Sequence, residues 1–267
     1  MCVQIRLLKS ETDIARHRVI FSLLQVYWNP RLGTEHDRLI RMMTSSSILF
    51  DACAGVGPFA VPAAKVCKVN IIFFEIRDLY QSFQVLANDL NPQSYKWLVE
   101  NSVSNKKSTN NIQCFNKDAR EFIKGEVKST LMDIWNGESD EVDHAHIVMN
   151  LPALAITFAD VFHGLFIDHQ EYLDRDVLLP QAHIYCFSSS DNPEKDVKRE
   201  CEKYLGGELD NDHFLGVNFV RNVSTNKSMF RIDFKVPKNI LFSIKPIVTG
   251  EKRPVSPDTN GLTIKKR

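Results

Sequence analysis

The chain has 267 residues, of which 43% are hydrophobic and 25% charged, with 11 glycines and 11 prolines. This composition excludes collagen-like, low-complexity and wholly disordered chains, and the length suffices for one large or two small domains with a sizeable core. The 33 lysines and arginines balance the 33 aspartates and glutamates, so the net charge is zero. This charge neither argues for a polyanionic partner nor excludes one.

The cysteine spacing and the hydropathy pattern narrow the class further. The six cysteines are scattered, without a C-x-x-C pair or histidines at zinc-ligand spacing, so we expect neither a disulfide framework nor a metal site. No apolar run approaches the roughly 18 residues of a membrane span, and residues 1–13 lack the apolar segment of a signal peptide. We therefore expect a globular protein of a reducing compartment, neither secreted nor membrane-bound.

From residue 47 onward, short β-prone runs alternate with helical stretches, which predicts repeated βα units and a largely parallel sheet. The strands are predicted at 47–53, 85–89, 112–118, 146–149 and 183–189, and the helices at 58–68, 92–102, 119–124, 156–165 and 193–204. Two later runs, 214–223 and 229–236, alternate as antiparallel strands do. The prediction is an α/β sandwich with about seven strands.

The first predicted strand leads into the segment F-D-A-C-A-G-V-G-P-F, with Asp51 at the strand end and Gly55 and Gly57 in the turn. Glycines let backbone N–H groups approach a ligand without a Cβ in the way, and the first βα turn of an open α/β sheet is where nucleotide-like cofactors bind. The alternative is a plain strand-to-helix connection, which also needs glycine.

Acidic residues follow the next two predicted strands as well. Asp89 ends the second strand in A-N-D-L-N-P, and Asp118 ends the third in K-D-A-R. A carboxylate accepts two hydrogen bonds from a ribose diol, and the carboxyl ends of parallel strands share one edge of the sheet. Each aspartate alone could equally be a solvated turn or a helix N-cap.

Two further segments carry polar chemistry. Asn150 and Pro152 follow the fourth predicted strand in M-N-L-P-A, where an amide held by a nearby proline can address the edge of a base, as in the N-P-P-Y element of amino-methyltransferases. Upstream, V-Y-W-N-P-R-L-G-T-E-H brings aromatics and Arg31 close to Glu35, a set that could stack on a nucleotide and take a proton. Equally, Thr34 and Glu35 could simply begin a helix.

Together these segments resemble one family. V-Y-W-N-P-R-L-G-T-E-H, D-A-C-A-G-V-G-P-F, N-D-L-N-P-Q-S-Y-K-W-L, H-I-V-M-N-L-P-A and V-S-T-N-K-S-M-F look like successive signatures of the Trm5-type tRNA (guanine(37)-N1)-methyltransferases, from about residue 26 to about residue 236. The resemblance implies a Rossmann-like class I fold, S-adenosylmethionine as cofactor, tRNA as partner, and methylation of N1 of guanosine 37 beside the anticodon.

The resemblance also assigns residues. The cofactor would be held by Asp51, Ala54, Gly55, Gly57, Asp89 (on the ribose), Leu90, Asp118 (near the adenine), Ala119 and Asn150. Asn150 and Pro152 would position the guanine, Glu35 would be the general base, and Tyr27 and Arg31 would lie near the substrate. Guanine N1 carries a proton at neutral pH, so a base must remove it, and we expect desolvation to raise the pKa of that base.

The sequence departs from the family pattern in two places. Residues 1–25 are too few for the usual N-terminal region, which predicts a truncated remnant before a methyltransferase domain at 26–246 and a flexible tail at 247–267. Residues 69–84 interrupt the connection to the second strand, and their first and last codons could form splice sites, so we interpret them as an atypical insertion and as a retained intron.

Several alternatives stay open. The runner-up functions are a wybutosine-pathway aminocarboxypropyl transferase, against which N-L-P-A argues, and an inactive cofactor- or RNA-binding remnant. We expect a monomer in the cytoplasm and nucleus, with the mitochondrial matrix as an alternative. Among other candidates, His144 and His146 are interpreted as ordinary strand histidines, and Phe158, Phe162 and Phe166 as core. Arg221, Lys227 and Arg231 could contact phosphate or form a solvated face.

Overall fold

The protein is described by a computed structural model that covers residues 9–14, 17–22, 32–67, 84–105, 111–137 and 142–244. Its centre is a seven-stranded sheet in the order β5-β4-β3-β6-β7-β9-β8. The strands are β3 (Ser47–Asp51), β4 (Val85–Asn88), β5 (Ile112–Phe115), β6 (His144–Met149), β7 (Gln181–Ser188), β8 (Phe214–Ser224) and β9 (Lys227–Lys235). β3 to β7 run parallel, whereas β9 is antiparallel to both of its neighbours.

Helices cover both faces of this sheet. They are α1 (Gly33–Ile40), α2 (Ala60–Val66), α3 (Pro92–Ser104), α4 (Ala119–Phe122), α5 (Lys128–Trp135), α6 (Pro193–Leu205) and α7 (Lys238–Leu241), with a π-helical turn at Ile123–Val127 that joins α4 to α5. Two apolar clusters form the core, one on each face, and β3 contributes Ile48 and Phe50 to one and Leu49 to the other. A strand covered on both faces reads as a continuous apolar run, which explains the sequence S-I-L-F.

The seven predicted strands are confirmed, with ends that differ from the predicted ones by up to three residues. The predicted helix at 156–165 is present over Ala155–Phe162, but it is a 3-10 helix, and a second 3-10 helix covers Gln170–Tyr172. The Thr157 amide donates to the Leu154 carbonyl at 2.9 Å, three residues back, as in a 3-10 helix. Phe162 and Phe166 are core as predicted, whereas Phe158 is only partly buried.

Residues before the sheet contribute a separate two-stranded antiparallel sheet, β1 (Lys9–Ile14) with β2 (His17–Ser22). Of the segment 69–84, only Gln84 lies within the described residues: its side chain accepts a hydrogen bond from Asn111 and its carbonyl one from the Leu49 amide. The tail at 247–267 lies outside them. Within the described ranges, no helix is long and apolar enough to cross a membrane.

Candidate active site

Loops at the carboxyl edge of the sheet enclose a cavity of about 680 Å³. The strand order reverses here, since β3 is followed by β4 on one side and has β6 on the other, and such a reversal leaves a crevice in open α/β sheets. Most of the predicted site residues line the cavity: Ala54, Gly55, Asp89, Leu90, Asp118, Ala119, Asn150 and Pro152. Loops that are up to about a hundred residues apart in sequence therefore meet in one space.

The two glycines of the first turn have different roles. Gly55 has a φ of +57°, a Cβ there would meet nothing within 4 Å, and its N–H donates to Asp89 Oδ2 at 2.8 Å. Gly57 has a φ of +98°, but a Cβ there would lie 2.9 Å from Val61 Cγ2 and 3.0 Å from Leu98 Cδ1. Gly55 thus faces the cavity, whereas Gly57 allows close packing of α2 and α3 and does not line it.

Asp89 holds the loops after β3 and β4 together. Besides Gly55, the Asn91 amide donates to it, to Oδ1 at 2.9 Å. Burial raises the pKa of Asp89, although the hydrogen bonds from these two amides partly oppose the rise. The carboxylate is therefore oriented by backbone donors while it lines the cavity, which suits an acceptor for ligand hydroxyl groups.

Asp51 lies at the end of β3 and is fully buried. The Cys53 amide lies near enough to lower its pKa slightly, but among the described residues neither carboxylate oxygen has a full hydrogen-bond partner. Burial and then the charge of Asp89 raise the pKa of Asp51 to about 8. A buried ionised carboxylate without donors is costly, and the raised pKa keeps Asp51 mostly neutral at pH 7. Asp51 does not line the cavity, although the next residues, Ala52 to Gly55, do.

Asn88 was not predicted as a site residue, yet its side chain links the loops after β3, β4 and β5. It is fully buried at the end of β4, donates to the carbonyls of Ala52 at 3.1 Å and Lys117 at 3.0 Å, and accepts from the Lys117 amide at 2.9 Å. The loops after β3, β4 and β5 are thus connected through one amide. The only sequence signal is a polar residue at the end of an apolar strand, next to Asp89.

Asp118 and Ala119 lie where β5 leads into α4. The Asp118 side chain caps α4 by accepting from the Arg120 amide at 2.8 Å, and it also lines the cavity. Asp118 is therefore both a helix N-cap and a cavity residue. Arg120 pairs with Asp160 at 2.7 Å, and its guanidinium lies 4.6 Å from the Phe158 ring centre. This contact brings Phe158 from the 3-10 helix to the cavity wall.

Asn150 follows β6 directly and turns into Leu151 and Pro152, all of which line the cavity. The Leu151 side chain is 41% exposed at the cavity mouth. On the far side of β6, the wall continues with Phe187 at the end of β7 and with Arg221 and Met229 from the β8–β9 hairpin. The amide of Asn150 thus lies between the acidic loops and a wall of mixed apolar and cationic character.

Glu35 is buried in α1 and does not itself line the cavity, although its neighbours Leu32 and His36 do. Its Oε1 accepts from the Tyr185 hydroxyl at 3.0 Å and forms a hydrogen-bonded ion pair with Arg231. Its Oε2 lies 3.8 Å from Arg38 Nη1. The other two residues predicted near the substrate, Tyr27 and Arg31, lie outside the described residues.

Arg231 is not a phosphate contact, and that alternative is wrong, because its side chain is 2% exposed. Besides Glu35, it binds Asp233 through Nε at 2.7 Å and Nη2 at 2.9 Å. Burial works against the Asp233 carboxylate, but the hydrogen bonds and charges of His183 and Arg231 outweigh it and lower its pKa. The pairing with β9 was beyond sequence reasoning, since 196 positions separate Arg231 from Glu35.

The polar contacts continue across the sheet to two histidines. His183 Nδ1 lies 2.8 Å from Asp233 Oδ1, and His183 Nε2 lies 3.0 Å from His146 Nδ1. Burial, followed by the neighbouring histidines, lowers the pKa of His146 to about 3. We call Glu35, Arg231, Asp233, His183 and His146 the buried polar chain. Among the described residues, no group of three or more His, Cys, Asp or Glu side chains could hold a metal ion.

The strand order, the glycine turn and the acidic strand ends together define a Rossmann-like class I methyltransferase domain. The profile of the TRM5/TYW2 methyltransferase domain matches residues 15–169, more than half of the chain. The chain therefore belongs to the TRM5/TYW2 methyltransferase family, and the resemblance inferred from the motifs is confirmed.

Relatives and solved structures agree with this assignment. The chain is 41% identical over 234 residues to a tRNA (guanine(37)-N(1))-methyltransferase of Drosophila melanogaster, covering 87% of this chain and 48% of the relative. It is 43% identical over 240 residues to that of Xenopus tropicalis, covering 90% and 44%. The chain thus spans about half the length of the curated relatives it matches.

Two solved structures show the fold. Trm5b from Pyrococcus abyssi aligns with a TM-score of 0.59 and 26% identity, covering 86% of this chain and 56% of that one. M. jannaschii TYW2 in complex with AdoMet aligns with a TM-score of 0.58 and 16% identity, covering 88% and 89%.

Proposed function

We propose that this chain is an S-adenosylmethionine-dependent methyltransferase that modifies N1 of guanosine 37 in tRNA, 3′ of the anticodon. The observation that carries the proposal is the single cavity that joins Gly55, Asp89 and Asp118 to Asn150 and Pro152. The names of relatives at 41% and 43% identity support the base and the position.

The residues present fit the cofactor. An open space faces Gly55, where a side chain would otherwise stand, and the Asp89 carboxylate beside it suits the two hydroxyls of a ribose. Asp51 ends β3 directly before the cavity-lining Ala52, but it is fully buried and does not itself line the cavity. When bound, S-adenosylmethionine supplies an electrophilic methyl group on a sulfonium.

The remaining residues orient and deprotonate the substrate. The side chain of Asn150 offers a carbonyl and an NH₂ group to a base edge, and Pro152 restricts the backbone next to it. Glu35 accepts the N1 proton of guanine as N1 is methylated. Oε1 already accepts from Tyr185 and Arg231, whereas Oε2 has only the Arg38 guanidinium at 3.8 Å, so we assign the proton to Oε2. Glu35 does not line the cavity itself, so this role requires the substrate to reach α1 beside His36.

The test is methyl transfer from radiolabelled S-adenosylmethionine to unmodified tRNA, followed by nucleoside mass spectrometry. The proposal expects 1-methylguanosine at position 37, and it expects a tRNA with adenosine at this position to remain unmodified. Absence of transfer by a chain that binds S-adenosylhomocysteine would support the inactive binding protein instead.

A second candidate is an aminocarboxypropyl transferase. It is favoured by the family profile, which includes TYW2, whereas the N-L-P-A segment at Asn150 argues against it. That reaction uses a different carbon of the same cofactor. The same mass spectrum separates the two candidates, because the modified nucleoside would carry an aminocarboxypropyl group instead of a methyl group.

A further inference from the structure

Arg221 is the only lysine or arginine among the described residues that line the cavity. The other basic side chain there, His36, is neutral, since burial lowers its pKa to about 4. Asp89 and Asp118 lie on the loops after β4 and β5, whereas Arg221 belongs to β8 at the opposite end of the sheet order. The cavity therefore has an acidic end and a cationic end.

The Arg221 guanidinium is not satisfied within the described part of the chain. Its Nε is buried and has no hydrogen-bond partner there, and the side chain forms no ion pair with a described residue. Arg120 and Arg231, by contrast, each have carboxylate and other partners. A partly buried guanidinium with a free N–H is suited to a bidentate anion such as phosphate.

Two anions could approach this position: a phosphate of the RNA, and the carboxylate of the cofactor. The acidic loops that fit the cofactor follow β3, β4 and β5, while Arg221 shares its wall with Phe187 and Met229 beyond β6. The Lys227 ammonium lies 4.5 Å from the centre of the Phe187 ring, so this wall combines an aromatic ring with a second positive charge. A nucleotide whose base enters between this wall and Asn150 would bring its own phosphate toward Arg221. The position of Arg221 favours the RNA.

Resting on the proposed function, we propose that Arg221 binds the backbone phosphate of the target nucleotide and so holds its base beside Asn150. The contact is charge-assisted and partly shielded from water, so its loss weakens tRNA binding by about tenfold. Arg221 does not touch the transferred methyl group, so kcat at saturating tRNA falls much less than kcat/KM.

The first experiment compares Arg221→Ala with wild type in tRNA binding and methyl transfer at several salt concentrations. We expect the slope of log affinity against log salt to become shallower by about 0.7, the value for one phosphate contact on a single strand. Arg221→Lys should restore the slope but only part of the affinity, because lysine is a point charge.

The matched control is Lys235→Ala, which removes one positive charge from the same hairpin. Lys235 is exposed and pairs with Gln181 at the start of β7, at the edge of the sheet away from the cavity. Equal effects of the two alanine variants would mean that Arg221 acts only through general charge, which would overturn the proposal. So would weaker binding of S-adenosylhomocysteine by Arg221→Ala with unchanged tRNA affinity, since the anion would then be the cofactor carboxylate.

A second experiment tests the phosphate itself. An anticodon stem-loop RNA with one uncharged methylphosphonate next to guanosine 37 should bind wild type about tenfold more weakly than the unmodified RNA does. Arg221→Ala should bind the two RNAs equally, because the contact is already lost. Independent, additive losses at each backbone position tested would contradict the contact. If wild type binds the unmodified RNA without methylating it, the proposed function is refuted. The four affinities of the two RNAs for wild type and Arg221→Ala would still decide whether Arg221 contacts the phosphate.

Discussion

The acidic loops of the cavity and the buried polar chain are both built from carboxylates, but their partners differ. In the loops, Asp89 lines the cavity and accepts from the backbone amides of Gly55 and Asn91, while Asp51 at the end of β3 is fully buried with no full hydrogen-bond partner within the described residues. In the buried polar chain, Arg231 binds two carboxylates at once, and Asp233 also accepts from His183 and Asn218. The first region is arranged to receive a ligand and the second to hold its own members in place.

This comparison gives Glu35 a different character from the one its motif indicates. A free general base would line the cavity, whereas Glu35 is anchored from behind by Tyr185 and Arg231. The anchoring fixes the orientation of the carboxylate and compensates its charge in a buried site. The contribution of the structure to Glu35 is therefore a fixed orientation of its carboxylate, in addition to burial.

The largest effect should come from breaking the buried polar chain. Arg231→Met leaves two buried carboxylates without their cation, which should lower the free energy of unfolding by about 3–5 kcal/mol. Urea denaturation followed by circular dichroism measures the change. The matched control is Arg120→Met, since the Arg120–Asp160 pair is about one-third exposed, and we expect it to cost about 1 kcal/mol. Equal losses would show that the buried polar chain contributes no special stability.

The next effect concerns the acidic loops. Asp89→Ala removes the acceptor of two loop amides and the carboxylate offered to the cofactor, so the Kd for S-adenosylhomocysteine should rise about a hundredfold. Isothermal titration calorimetry measures it. Asp212→Ala, at an exposed position before β8, serves as the control and should leave the Kd unchanged. Unaltered affinity in Asp89→Ala would contradict the ribose assignment.

A smaller effect separates the base from its anchors. Glu35→Gln should slow methyl transfer about tenfold or more while leaving cofactor affinity nearly unchanged. Tyr185→Phe removes one hydrogen bond to Oε1 but keeps the carboxylate, so its transfer rate should fall only a fewfold. Single-turnover rates, taken well below the melting temperature of each variant, make the comparison. Full activity in Glu35→Gln would exclude Glu35 as the base.

The last effect is on the pH dependence of stability. Because the pKa of Asp51 is raised to about 8, the folded chain binds more protons than the unfolded chain above pH 4, so Asp51 lowers stability as pH rises from about 4 to about 8. The pKa of His146 is lowered from about 6.5 to about 3, so below pH 6.5 the unfolded chain binds more protons than the folded chain. His146 therefore lowers stability as pH falls from about 6.5 to about 3.

Melting temperatures across this pH range test both signs. Asp51→Asn should flatten the decline between pH 4 and 8 relative to wild type, and Asp212→Asn should not. The same slope in Asp51→Asn and wild type would mean that Asp51 is ionised in the folded chain at neutral pH.

The acidic loops could be predicted because their signals are local. Asp51, Asp89 and Asp118 each follow an apolar run, and parallel strands bring their carboxyl ends to one edge. The β8–β9 hairpin was equally visible as alternation. The 3-10 form of the helix expected at 156–165 was not visible, because the apolar pattern indicates a helical stretch without fixing whether its hydrogen bonds span three residues or four.

The sequence by itself determined the positions of the strands, the glycine turn and the three aspartates at or after strand ends, since apolar periodicity and turn chemistry depend on neighbours in the chain. Only the tertiary structure decided that Arg231 lies under Glu35 instead of facing solvent, and that Arg221 reaches the cavity while its neighbours on β8 do not. Charge pairing inside a protein depends on which distant strands pack together, and a buried arginine and an exposed one look the same in a sequence.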